Sequence, residues 1–115
     1  MEQDCIFCNI AKGKIESETL YQDGEVIAIR DINPQAPTHL LVIPRAHIPT
    51  LDDLTTEQTA LAGHLIEIAI NLARKEGIAS KGYRLAINCG HEGGQLVPHL
   101  HIHVLGGRKM SGSLG

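Results

Sequence analysis

His99-Leu100-His101-Ile102-His103-Val104-Leu105 is the stretch from which the rest of the chain can be read. Three histidines alternate with aliphatic residues. In an extended strand successive side chains point to opposite faces. The imidazoles of His99, His101 and His103 then share one face, roughly 7 Å apart, and Leu100, Ile102 and Val104 share the other. The aliphatic face can enter a core. Imidazole is neutral near pH 7, accepts through one nitrogen and donates through the other, and suits acid–base work or metal ligation. A titratable cluster at period two points to a functional site rather than a solvated strand face. Gly93-Gly94-Gln95 upstream and Gly106-Gly107-Arg108 downstream allow backbone to approach it closely.

Outward from that strand, the chain predicts a small α+β domain. Cys5 to Ala11 reads as a short N-terminal helical turn, with Ile6 and Ile10 on one face, ended by Gly13. Thr19 to Gln22 and Val26 to Arg30 read as strands joined by an Asp23-Gly24 hairpin turn. Asp31 to Pro37 is a loop stiffened by two prolines. Thr38 to Ile43 is an apolar central strand ended by Pro44, and Arg45 to Pro49 is irregular. One long helix is expected from about Thr56 to Glu76, with Thr55 as N-cap and Gln58 completing a capping box. Leu61, Leu65, Ile68 and Leu72 form its apolar stripe, widened by Ala62 and Ala69. Arg74 and Lys75 suit its C-terminal dipole, and Gly77 its stop. His64 lies between Leu61 and Leu65 and reads as a boundary residue. Tyr83 to Asn88 is a fourth strand, Gly90 to Gln95 a glycine-rich loop, and Met110 to Gly115 a frayed tail. Hairpins dominate, so the five-stranded sheet is mainly antiparallel, with one long helix and a short N-terminal helix.

At 115 residues and 43 % hydrophobic, residues 1–115 make one domain with a single core. The net charge of −3 argues against a nucleic-acid or anionic-membrane partner, and 3 % aromatics leaves few stacking platforms. A small anionic ligand remains open, because histidines, backbone N–H groups and helix ends bind phosphate without net positive charge. Met1-Glu2-Gln3-Asp4 is acidic, unlike the basic start of a signal peptide, and a cytoplasmic location is expected.

Three cysteines in a reducing compartment argue against a disulfide framework. Cys89 reads as a small buried hydrophobe. Cys5 and Cys8 form a C-x-x-C pair, open to three readings: two ligands of a structural zinc, a redox dithiol, or inert thiols. For zinc, His47 and His99 are the available partners. The triad itself could instead bind a catalytic metal through three imidazoles, although it lacks a neighbouring carboxylate base. With no nucleophilic serine elbow and no Walker lysine loop, a histidine nucleophile attacking phosphorus is the other chemistry on offer. His101, flanked on both sides, suits that role. His103 can donate to a phosphate oxygen, and the Gly93-Gly94-Gln95 loop can offer N–H groups.

The triad resembles the signature of the histidine triad family. Asp31-Ile32-Asn33-Pro34-Gln35-Ala36-Pro37-Thr38-His39, Gly93-Gly94-Gln95, Gly106-Gly107-Arg108 and Cys5-Ile6-Phe7-Cys8 resemble its purine nucleoside phosphoramidase branch. The resemblance implies a homodimer that joins its two sheets. It implies hydrolysis of nucleoside 5′-phosphoramidates, purine nucleoside monophosphates linked to an amine, through a nucleotidyl-histidine, with no organic cofactor. In that frame His101 is the nucleophile, His103 contacts the α-phosphate and His39 supports the triad. Asp31 holds the ribose hydroxyls. Ile6, Phe7, Ile10, Ile29 and Ile32 line the base pocket, while Asn88, Gly94, Gln95 and Val97 surround phosphate and ribose. Some bacterial members use a C-x-x-C and two histidines for structural zinc, which maps onto Cys5, Cys8, His47 and His99. Leu96 stands where several relatives have a hydroxyl, Pro98 replaces a common aromatic, and the tail lacks a tryptophan found in some members. Two rival functions are a dinucleoside polyphosphate hydrolase of the same family and a non-enzymatic nucleotide-binding adaptor.

Overall fold

The computed structural model describes residues 4–114. Five antiparallel strands form one sheet in the order β1-β2-β3-β5-β4. The strands are β1 (Thr19–Gln22), β2 (Val26–Arg30), β3 (Thr38–Pro44), β4 (Tyr83–Ala86) and β5 (Ile102–Gly106). A six-residue helix, α1 (Ile6–Ala11), covers one face, and the long helix α2 (Thr59–Lys75) covers the other.

The two central strands are buried on both sides, so they read as unbroken apolar runs. Val26, Ala28, Leu40, Val42, Ile102 and Val104 pack with Leu65, Ile68, Ala69 and Leu72 of α2. Ile27, Ile29, Leu41 and Ile43 point the opposite way and pack with Phe7, Cys8 and Ile10. Strand alternation therefore sends Ile102 and Val104 into the α2 core and leaves His103 on the α1 side.

The expected capping box is present: the Thr55 N–H donates to Gln58 Oε1 at 3.0 Å. The first turn behind it, Thr56–Gln58, is 3₁₀ rather than α, so α2 proper begins three residues later than expected. Gly77 takes φ +78° and stops the helix as anticipated.

Other expectations shift. The β1–β2 turn is not built on left-handed Asp23 and Gly24, neither of which has positive φ. Instead Asp23 Oδ1 accepts from the N–H groups of Glu25 and Val26, each at 2.8 Å. β4 ends at Ala86, two residues short of Asn88. The tail has no regular structure, yet Arg84 Nη2 donates to the Ser111 carbonyl at 2.6 Å and holds it. Gly115 and residues 1–3 fall outside the described residues.

The largest shift is at the triad. The β3–β5 ladder runs from Thr38↔Gly106 to Val42↔Ile102 and stops. In that register Ile43 would face His101 next, and then Leu100 would face Pro44, which has no N–H to give. Leu100 donates to the Ile48 carbonyl instead, at 2.7 Å. His99, Leu100 and His101 thus precede the strand and are not part of a regular ladder.

β5 also ends on a tight contact. A Cβ at Gly106 would lie 2.6 Å from Ile78 Cδ1 and 2.9 Å from Ile78 Cβ. Gly106→Ala is expected to destabilise the domain by about 1–3 kcal/mol through overpacking. An unchanged urea midpoint would contradict that.

Candidate active site and metal cluster

The α1 face of the sheet carries a cavity of about 500 Å³. Ile6, Phe7, Ile10, Ile29, Leu41 and Val97 give it an apolar end, and Asp31, His39, Asn88, His101 and His103 a polar one. Ile32 and Leu96 stand at its surface, 85 % and 93 % exposed. Every residue assigned to nucleotide contact from the sequence lines this wall except Gln95. The Gln95 amide is occupied with backbone: Nε2 donates to the Pro49 and Val97 carbonyls, and Oε1 accepts from the Gly90 N–H. It braces the glycine-rich loop. Asn88 Nδ2 donates to the Gly93 carbonyl at 2.8 Å from the other side.

Backbone partners set the imidazole tautomers. A carbonyl oxygen can only accept, so His101 Nδ1, 2.7 Å from the His99 carbonyl, carries the proton. Its Nε2 is left with a lone pair. The Gln35 N–H donates to His39 Nδ1 at 3.0 Å, which places the His39 proton on Nε2. That proton faces His103 Nδ1 at 2.9 Å, with Asp31 Oδ2 3.4 Å away as a second acceptor. His103 Nδ1 is then an acceptor and its Nε2–H a free donor. A lone pair on His101 and a donor on His103, with ring centroids 4.8 Å apart, face the same cavity. No side-chain signal in the sequence marks Gln35 for this role, because its backbone performs it.

Burial, reinforced by His101 and His39, pushes His103 down to about 4, and burial also lowers His39. Both rings are neutral at pH 7. Across the sheet His64 goes the other way: its hydrogen bond to Asp23, Nε2 to Oδ2 at 2.6 Å, raises it. Burial works against ionisation of Asp23, but hydrogen bonds from Tyr21, His64, Glu25 and Val26 outweigh it and hold that carboxyl below its usual range. His64 is therefore a latch between α2 and the β1–β2 turn.

The lowered histidines give stability a sign. Below the ordinary value of about 6.5 the unfolded chain takes up protons that native His103 refuses until about 4. Stability is expected to be full above about pH 6.5 and to fall as pH drops toward 4. His64 contributes with opposite sign, losing its part as pH rises through its raised value. Urea midpoints between pH 7 and 4.5 should decline, and less steeply in His103→Gln; equal slopes would contradict the assignment.

His99 turns away from the other two triad members. Its Nε2 lies 2.8 Å from the Pro44 carbonyl and must donate there, so Nδ1 offers its lone pair. That nitrogen lies 3.1 Å from Cys5 Sγ and 3.5 Å from Cys8 Sγ, and His47 Nδ1 lies 3.2 Å from Cys8 Sγ. All four donor atoms fall within 4.8 Å of one another. Tetrahedral zinc with thiolate and imidazole ligands spaces its donors about 3.3–3.8 Å apart, so the set fits a metal with little movement. The catalytic-metal reading of the triad fails here. His99 belongs to this cluster, His101 to no candidate metal group among the described residues, and His103 to a separate group with Asp31 and His39. In that last group the His39 proton already lies between His103 and Asp31. A redox-helix reading of Cys5 and Cys8 lacks its β-α-β setting, because among the described residues no strand precedes α1. Cys89 is exposed, not buried. Ile87 and Gly90 to either side of its segment lie on a loop leaving the sheet, not on a core strand.

The HIT domain family model matches residues 12–110. This chain belongs to the HIT domain family. It is 47 % identical over 110 residues to the purine nucleoside phosphoramidase of Escherichia coli (strain K12), a match covering 96 % of this chain and 92 % of that protein. Among solved structures it is similar to a HIT family hydrolase from Legionella pneumophila, with TM-score 0.94 and 45 % identity over 96 % of this chain and 99 % of that one. It is also similar to a zinc-bound histidine triad family protein from Mycobacterium smegmatis, with TM-score 0.78 and 32 % identity over 94 % and 78 % of the two chains. As a HIT domain, the chain has the α+β fold its sequence implied. None of its described helices is long and apolar enough to cross a membrane.

Proposed function

We propose that the protein hydrolyses nucleoside 5′-phosphoramidates by way of a nucleotide bound covalently to His101. The observation that carries this is the fixed tautomer pair, an Nε2 lone pair on His101 beside an Nε2–H donor on His103. Relatedness to the E. coli purine nucleoside phosphoramidase supports the substrate class.

In the first step His101 Nε2 attacks the α-phosphorus, an N–P bond forms and the P–amine bond breaks. The amine leaves with the bonding pair and takes a proton from water; the Leu96 side chain at the cavity surface has none to give. His103 Nε2–H stabilises the phosphate oxygens as charge builds on them, and its neutrality keeps that donor fixed near pH 7. As positive charge builds on the His101 ring, its Nδ1–H donates to the His99 carbonyl, whose dipole stabilises that charge. Water then attacks phosphorus and gives up a proton to solvent, the P–Nε2 bond breaks with its pair returning to His101 Nε2, and the nucleoside monophosphate leaves. Asp31 sits where it can accept from ribose hydroxyls: Oδ1 takes one N–H from Asn33 and keeps further acceptor capacity. The apolar end, with Ile6, Phe7, Ile10 and Ile29, suits a purine ring, and Ile32 stands at its mouth.

The metal reading is structural zinc held by Cys5, Cys8, His47 and His99. Bound there, zinc would cross-link α1 to the sheet, and four protein ligands leave no position for a reacting water. The homodimer is read as joining at the free edge of β4, the strand beside the triad strand. A cytoplasmic setting suits cysteines that form no disulfide.

Rates on adenosine 5′-phosphoramidate and on a diadenosine polyphosphate, side by side, test the substrate class. The phosphoramidate is expected to turn over faster. Faster polyphosphate cleavage would favour the other hydrolase, and tight AMP binding without turnover of either would favour an adaptor.

A further inference from the structure

The cavity wall and the metal cluster are built on the same six-residue helix. A helix this short has no stability of its own in water. Cys5 is its N-cap, with Sγ accepting from the Cys8 N–H at 3.3 Å, and Cys5 and Cys8 face His99 and His47. Ile6 and Ile10 line the cavity. Phe7, between the two cysteines and 6 % exposed, belongs to both. Its ring meets His99 edge-on at 5.8 Å and 82°, and His101 edge-on at 5.1 Å and 76°. A second path runs through His99, whose ring faces the thiols while its carbonyl holds His101 Nδ1–H. At its far end α1 is held by Arg45, which donates to the Ala11 carbonyl at 2.7 Å. The end nearest the nucleophile depends on the cysteines.

We propose that Phe7 is a positioning residue that couples the Cys5–Cys8–His47–His99 cluster to His101 and to the base wall, so that metal and nucleotide bind with positive linkage. The inference rests on the nucleotide and zinc readings above. With the cluster closed, the two thiols and the two imidazoles are drawn together, and the Phe7 ring is clamped against His101. With it open, α1 loses the tie through its cysteines while its apolar contacts and Arg45 remain, and Ile6, Phe7 and His101 each regain freedom that nucleotide binding must remove. Linkage is reciprocal: the factor by which nucleotide tightens metal must equal the factor by which metal tightens nucleotide.

Zinc affinity is measured by competition with a chromogenic chelator, with and without saturating AMP. AMP affinity is measured by calorimetry on zinc-loaded and zinc-stripped protein. In wild type both factors are expected to agree at roughly 5- to 50-fold, within the usual range for coupled sites. In Phe7→Leu, which keeps an apolar side chain but loses the ring edges, zinc still binds and the factor falls toward one. Circular dichroism establishes whether the stripped protein is folded. If it is not, the chelator experiment on wild type and Phe7→Leu still decides, because linkage through global folding alone would survive the substitution. Zinc affinity that ignores AMP in wild type, or a shift undiminished in Phe7→Leu, overturns the inference. Zinc-loaded protein that fails to bind AMP overturns the nucleotide reading and the inference together, whereas binding of both without linkage overturns the inference alone.

Discussion

His101→Ala is expected to lower kcat/KM for adenosine 5′-phosphoramidate on the order of 10⁴- to 10⁶-fold, the scale of losing a covalent nucleophile. The loss should lie in kcat. The apolar wall, Asp31 and the His39–His103 relay stay in place, so AMP affinity should remain within about tenfold of wild type. His103→Ala removes a donor to the phosphate rather than the attacking atom, and its cost is expected to be smaller, roughly 10²- to 10³-fold. His39→Ala is more subtle. Without His39 Nε2–H, His103 Nδ1 loses its donor and the ring can carry its proton on either nitrogen. A His101→Ala enzyme with full turnover would remove the mechanism altogether, whatever became of the substrate class.

Cys8→Ala should bring bound zinc from about one ion per chain to nearly none, and lower stability by at least about 3 kcal/mol. For a domain of this size that corresponds to a melting temperature lower by more than about 10 °C. Part of any such loss could come from truncating a buried side chain, so chelation provides the control. Stripping wild type with a chelator should lower its melting temperature by a similar amount and leave Cys8→Ala unchanged. Cys8 faces both His47 and His99, so its removal opens the cluster at two contacts. Metal content and melting temperature both unaltered in Cys8→Ala would eliminate the four-ligand reading.

Much of this was visible in the residues. Alternation at Leu100, Ile102 and Val104 correctly put those side chains into the α2 core, and Thr55 with Gln58 marked the start of the helical segment. Side-chain types named the candidates for both clusters, and the four proposed metal ligands do converge. What stayed hidden depends on partners distant in sequence. The triad strand starts late because of a proline on a different strand, opposite Leu100. The tautomers of His39, His99 and His101 are set by backbone atoms of Gln35, Pro44 and His99, which any residue except proline could supply in the first case and any residue at all in the others. Period-two spacing suggested three equivalent imidazoles on one face. The break before β5 instead frees His99 to turn toward the thiols, so one motif serves two sites. Gln95 looked like a ligand contact because it ends a glycine-rich loop, yet an amide that can donate and accept is equally able to brace that loop.

The most direct measurement is intact-mass spectrometry of enzyme rapidly quenched during turnover of adenosine 5′-phosphoramidate. Wild type should gain the mass of one adenylyl group, located by fragmentation on His101, and His101→Ala should gain nothing. Substrate consumed by wild type with no adduct at any quench time, or an adduct located on His103, would contradict the account.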